Sequence, residues 1–82
     1  MKKISLVMIV KDEEEALPRC LASVQGIVDE YIIVDTGSTD STREIISQYG
    51  DLHEIPFEDY VTTKNNALAL ATGDYILFMD AD

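Results

Sequence analysis

The chain has 82 residues, room for one small domain, and 46% of them are hydrophobic, which excludes a disordered tail. Six Lys and Arg stand against sixteen Asp and Glu, a net charge of −10, which excludes the basic stripe of a nucleic-acid-binding surface. An anionic ligand therefore needs a cation or helix N-termini to approach, and the single Cys20 excludes a disulfide framework or Cys-based zinc site and fits a reducing, cytoplasmic compartment.

The first apolar run, Ile4 to Val10, predicts a buried strand. With Met1-Lys2-Lys3 ahead of it the run imitates a signal peptide. The acidic Lys11-Asp12-Glu13-Glu14-Glu15 that follows offers no small-residue cleavage site. No apolar run approaches the ~18 residues of a membrane span. Leu17, Cys20, Leu21 and Val24 recur at helical spacing, with Pro18 in the first turn, Asp12 and Glu15 as a capping pair and Gly26 as the stop. Tyr31 to Val34 predicts the second strand. The N-cap cluster Ser38-Thr39-Asp40-Ser41-Thr42 opens a helix that buries Ile45, Ile46 and Tyr49 and ends at Gly50. Leu52 to Ile55 alternates and closes at Pro56, as an edge strand does. A third helix is expected from about Thr63 to Ala71, stopping at Gly73, and Tyr75 to Met79 is the last strand. The order β-α-β-α-β-α-β predicts an α/β fold: a three-layer, Rossmann-like, mostly parallel sheet with right-handed crossovers. Ligands in such folds bind beyond the carboxyl ends of the strands.

Three segments bring carboxylates to that edge. Lys11 and Asp12 follow the first strand, Asp35 to Asp40 the second, and Asp80-Ala81-Asp82 the last. Gathered carboxylates repel one another unless a cation or hydrogen-bond donors are present. Oxygen-only ligands suit Mg²⁺ or Mn²⁺ completed by phosphate oxygens, and such an ion also lets a diphosphate approach an acidic protein. Asp35 has two readings, an acceptor for a ribose or base edge or a loop aspartate making a turn or cap. Gly37 supplies a positive φ, and Ser38, Thr39 or Asp40 a helix cap. No lysine follows, so this is not a phosphate-binding Walker loop. Asp80-x-Asp82 gains weight from lying directly after a strand; the alternative is a solvated chain end. Lys64-Asn65-Asn66, placed at the start of the third helix, holds a base edge or phosphate or is an exposed first turn. His53, with no second His and no nearby Cys, reads as surface.

Taken together, Ser5 to Glu14, Ile32 to Thr42, Lys64-Asn65-Asn66-Ala67-Leu68 and Ala71 to Asp82 resemble family 2 glycosyltransferases, in order and at the usual spacing. The likeness is closest to the bacterial branch with Val-Asp-Thr-Gly-Ser-Thr-Asp, here Val34 to Asp40. The resemblance implies a GT-A fold whose N-terminal part, residues 1–82, binds a UDP-sugar for transfer of a glycosyl group to an acceptor. Val10, Lys11, Asp12 and Glu13 would then line the nucleotide pocket, and Asp35 would bind the uracil-type base edge or ribose. Lys64 and Asn65 would lie near the base or phosphates. Asp80 would meet the ribose and metal region, and Asp82, with Asp80, would ligate Mn²⁺ or Mg²⁺.

Two departures stand out. Asp12 occupies a position where the family carries Asn. The sequence also stops at Asp-x-Asp, so a general base is expected beyond Asp82. The chain is then a fragment of a longer enzyme, inactive alone, whose exposed last strand invites self-association. The full-length enzyme is expected in the cytoplasm, at the inner face of the membrane. The alternative reading is a receiver-like regulatory module holding a metal in clustered acids. A nucleotidyltransferase is disfavoured because the loop after the first strand is acidic and lacks glycine.

Overall fold

The computed structural model describes residues 2–81. Its elements are β1 (Ile4–Val10), α1 (Ala16–Val24), β2 (Glu30–Asp35), α2 (Thr42–Tyr49), β3 (His53–Glu54), α3 (Tyr60–Leu68) and β4 (Tyr75–Phe78). All strand pairs are parallel, in the order β3-β2-β1-β4. The chain steps outward from β1 through β2 to β3 and then crosses back to the other side of β1. The β1–β4 seam is therefore where the strand order reverses, with Val7 opposite both Ile32 and Phe78.

Alternation along the strands sorts side chains into two apolar layers. Leu6, Met8 and Val10 of β1 pack with Leu17 and Leu21 of α1, Ile33 of β2 and Ile46 of α2. Val7, Ile32 and Val34 pack beneath Ala67 of α3 on the opposite face. This is the expected three-layer α/β arrangement, with its two strongest strands covered on both sides. As expected, β3 is an edge strand, only two residues long, paired to β2 alone. No helix among the described residues is long and apolar enough to cross a membrane.

Two helix starts differ from expectation. α3 begins at Tyr60, because Asp59 is extended (φ −137°) and its carboxylate accepts the Thr62 N–H at 2.8 Å and hydroxyl at 2.9 Å. Lys64, Asn65 and Asn66 consequently lie in the body of the helix rather than at its anion-attracting end. At α1, Glu15 holds the N-cap position without a side-chain bond, and Asp12 lies outside the helix at φ +52°. The two do not form a capping pair.

At the amino edge a polar latch pins β4 to the sheet. The Glu30 carboxylate accepts the Thr72 N–H and hydroxyl, both at 2.8 Å, and the Ser5 hydroxyl at 2.7 Å, with Lys3 Nζ at 3.4 Å. Ser5 Oγ in turn accepts the Gly73 N–H at 2.8 Å. A Cβ at residue 73 would lie 2.9 Å from the Lys3 carbonyl oxygen and closer still to Ser5 Oγ, so only glycine fits there. Led by the Thr72 N–H and the Ser5 hydroxyl, these donors pull the Glu30 carboxyl from 4.5 down to about 2, against the opposing effect of burial.

Candidate functional site

The β1–α1 and β2–α2 loops leave adjacent strand ends, Val10 opposite Asp35, and are laced together. The Asp12 N–H donates to Ser38 Oγ at 2.8 Å, the Glu13 N–H to Thr42 Oγ1 at 2.8 Å and the Glu14 N–H to Asp40 Oδ2 at 3.3 Å. In return the Thr39 N–H donates to Asp12 Oδ1 at 2.6 Å and the Ser41 N–H to Glu14 Oε1 at 2.9 Å. Each loop thus supplies the side-chain acceptors for the other's backbone, which satisfies donors that neither could satisfy alone.

Two hydroxyls act as relays in this lacing. Ser38 Oγ donates to Asp35 Oδ1 while accepting from Asp12, and Thr42 Oγ1 donates to Asp40 Oδ1 while accepting from Glu13. Asp35 is buried, and its other oxygen accepts the Gly37 N–H at 3.1 Å and the Ser38 N–H at 3.0 Å. Three of its roughly four acceptor positions are therefore spent on the turn, whose Gly37 has φ +118°. At Asp40 a raising effect of burial is outweighed by the Thr42 hydroxyl and N–H and the Glu14 N–H, which hold the carboxyl below its ordinary range. Asp12 contributes an acceptor from the left-handed region, where Asp and Asn are both tolerated. An asparagine carbonyl oxygen would make the same bond, so the Asp-for-Asn departure keeps this contact.

The braced loops wall two cavities at the carboxyl edge, of about 430 and 470 Å³, which share Thr36 and Phe57. The smaller sits at the β1–β4 seam and gathers Val10, Lys11, Glu13 and Asp80, with Tyr60 beside them. The larger lies over the ends of β2 and β3 and is lined by Asp35, Arg43, Glu54 and Pro56. Four of the sequence-predicted residues thus share one cavity and Asp35 lines its neighbour. Asp12 belongs to the loop lacing. Lys64 and Asn65 line neither cavity: Lys64 Nζ sits 4.6 Å from the centroid of the Phe78 ring, and Asn65 is exposed on α3. Asp82 lies outside the described residues.

No group of three His, Cys, Asp or Glu side chains among the described residues is placed to hold a metal. The exposed Asp80 at the end of β4 is a single carboxylate facing the β1–β4 cavity. That donor fits an ion such as Mg²⁺, which takes one or two carboxylates and completes its shell with water and phosphate oxygens. Burial pushes the Cys20 thiol above its ordinary value, which favours the protonated, unreactive form.

Sequence reasoning passed over Thr36, Arg43, Phe57 and Tyr60. Arg43 pairs with Glu54 at 3.8 Å, both side chains about half exposed, so the bridge contributes little to stability. Phe57 and Tyr60 are 55% and 51% exposed. The available signal was two aromatics just past the Pro56 that closes the edge strand, at the edge where ligands gather.

The model of the glycosyl transferase family 2 matches residues 5–82. A TPR repeat-containing protein of Synechococcus elongatus is 52% identical over the whole chain, which spans 21% of that protein. An uncharacterized glycosyltransferase of Rickettsia felis is 43% identical, again over the whole chain and 29% of the relative. The chain thus spans well under a third of the length of these curated relatives. Among solved structures, glucosyl-3-phosphoglycerate synthase from Mycobacterium tuberculosis, in complex with Mn²⁺ and UDP-glucose, superposes with a TM-score of 0.74 at 28% identity. The match covers 99% of this chain and 33% of that one.

Proposed function

The chain belongs to glycosyl transferase family 2, and from this membership we propose that its carboxyl-edge cleft is the donor site of a glycosyltransferase that takes a UDP-sugar and passes the glycosyl group to an acceptor. The observation that carries the reading is the meeting of Val10, Lys11, Glu13 and Asp80 at the β1–β4 seam, the point of strand reversal where open parallel sheets bind nucleotides. A similar structure that holds UDP-glucose with Mn²⁺ supports it. Residues 1–82 are, in this reading, the N-terminal nucleotide-sugar-binding part of a GT-A domain.

Val10, Lys11 and Glu13 line the nucleotide pocket. Asp35 keeps one acceptor position for the base edge or ribose, and Lys64 and Asn65, which line neither cavity, are carried over from the family likeness as neighbours of the base or phosphates. Asp80, with Asp82, would hold Mn²⁺ or Mg²⁺, which would supply Lewis-acid stabilisation of the leaving diphosphate. Such an ion would also offset, at the site, the repulsion that a chain of net charge −10 presents to phosphate. The lone Cys20 agrees with a cytoplasmic setting. The outer edge of β4 is the surface through which two copies associate.

Calorimetric titration with UDP, with and without Mn²⁺, tests the reading. Metal-dependent binding is expected, weakened about tenfold or more in Asp80→Ala, the scale of losing a charge-assisted contact. Equal affinity with and without the ion, or no binding in either condition, would overturn it.

A further inference from the structure

The backbone N–H groups of Asp12, Glu13 and Glu14 are spent on Ser38 Oγ, Thr42 Oγ1 and Asp40 Oδ2. Of these three acceptors only Thr42 belongs to a helix: it is the first residue of α2 and is completely buried. Thr42 lines neither cavity of the cleft, yet the residue it holds, Glu13, lines the β1–β4 cavity. We propose that Thr42 is a positioning residue of the donor site, which fixes the backbone carrying Lys11 and Glu13 without touching the ligand. The inference rests on the donor-site reading above.

A hydroxyl holds a neighbour in one geometry only when its own proton is directed. Thr42 Oγ1 donates to Asp40 Oδ1, which also accepts the Thr42 N–H at 2.9 Å. Its lone pairs are thereby left for the Glu13 N–H at 2.8 Å. The Glu13 carbonyl is held as well, accepting the Leu17 N–H of α1 at 2.9 Å. Both polar groups of the Glu13 backbone are tied, one to each helix. The residue before it needs that support, because Asp12 lies at φ +52°, a conformation uncommon outside glycine. Lys11 and Glu13 flank Asp12, and both line the β1–β4 cavity. Ile46, one turn beyond Thr42, anchors α2 in the core, so the tie runs from the cavity wall to a packed helix. Supports mounted on helices hold a site more precisely than supports mounted on loops. Without the hydroxyl the Glu13 N–H turns to water and the β1–α1 loop loses its hold on α2.

The experiment measures UDP affinity in Mn²⁺ for the unaltered protein, Thr42→Val, Thr42→Ser and Ile46→Val, with the urea midpoint of each. Thr42→Val keeps the shape but not the hydroxyl and should weaken UDP about fivefold or more, the scale of one lost hydrogen bond. Thr42→Ser keeps the hydroxyl and should bind as the unaltered protein does. Ile46→Val lowers stability from the same helix without touching the loop, and its affinity should not change. That control separates positioning from a general loss of stability. In the unaltered protein the Glu13 amide should exchange with D₂O far more slowly than an open loop amide, a measurement independent of how well Thr42→Val folds. Unchanged affinity in Thr42→Val, equal weakening in Thr42→Ser or Ile46→Val, or a Glu13 amide exchanging at the open-loop rate overturns the positioning role while leaving metal-dependent donor binding in place. Absence of UDP binding to the unaltered protein removes both proposals together.

Discussion

Ser38 is a small buried residue with two obligations, a proton for Asp35 and a lone pair for the Asp12 N–H. Replacing it with alanine leaves both partners without their bond inside the lacing. The expected loss is about 1–3 kcal/mol of stability, measured as a lower urea midpoint. Asp12 gives a sharper contrast. Asp12→Asn keeps an acceptor for the Thr39 N–H and a residue type suited to φ +52°, so its stability should stay within about 0.5 kcal/mol. Asp12→Ala loses the acceptor and the left-handed tolerance together and should fall by about 1–2 kcal/mol. Equal losses in the two variants would show that charge, not the acceptor, matters at this position. These roles were beyond the reach of sequence reading for a physical reason. Asp12 and Ser38 are 26 residues apart, and only the pairing of β1 with β2 makes one the partner of the other. Asp35 was open between ligand and turn, and the structure spends most of its oxygens on the turn.

At the scale of elements, strands were the legible part. Ile4–Val10, apolar but for Ser5, reads as a strand because β1 lies under helices on both faces and burial writes itself into composition, whereas Tyr75–Phe78 is equally apolar although Tyr75 and Ile76 are exposed at the sheet's edge. The start of α3 was hidden because Asp59 caps it from inside an acidic stretch after Pro56, without the Ser/Thr cluster that announces α2. The polar latch was equally hidden, since Lys3, Ser5, Glu30 and Thr72 come from four separate segments. It nevertheless sets the acid response. Glu30 sits at about 2 in the folded protein against an ordinary 4.5. A depressed folded value means that the latch contributes fully above pH 4.5 and is lost as pH falls toward 2. Asp40 and Asp59 are lowered as well and act in the same direction. Urea unfolding at pH 7, 4.5 and 3 should therefore show falling stability. Glu30→Gln should be less stable at pH 7 and lose less between pH 4.5 and 3. An unchanged slope in that variant would place the acid sensitivity elsewhere.

At the scale of the whole molecule the two edges of the sheet are unlike. The β3 edge is two residues long and ends at Ile55-Pro56, which leaves little backbone for another strand to pair with. The β4 edge presents four residues, Tyr75-Ile76-Leu77-Phe78, with no charge and no proline among them, and Tyr75 and Ile76 are 57% and 49% exposed. Backbone groups on its outer side have no strand partner among the described residues. A second copy of the chain offers the same edge, and two such edges meeting around a twofold axis satisfy each other's backbone and cover the apolar side chains. Net charge of −10 opposes this, so association should strengthen with salt. Sedimentation velocity over rising protein concentration should show a monomer passing to a dimer, earlier at 0.5 M than at 0.05 M salt, salt levels chosen to span roughly 4 to 14 Å of screening. Ile76→Lys places a charge on the exposed edge and should hold the monomer at every concentration. Its Mn²⁺-dependent affinity for UDP should not change, because Ile76 lies near the amino end of β4 and Asp80 just past its carboxyl end. A wild-type chain that stays monomeric throughout, or a dimer indifferent to Ile76→Lys, would mean that this edge does not drive association.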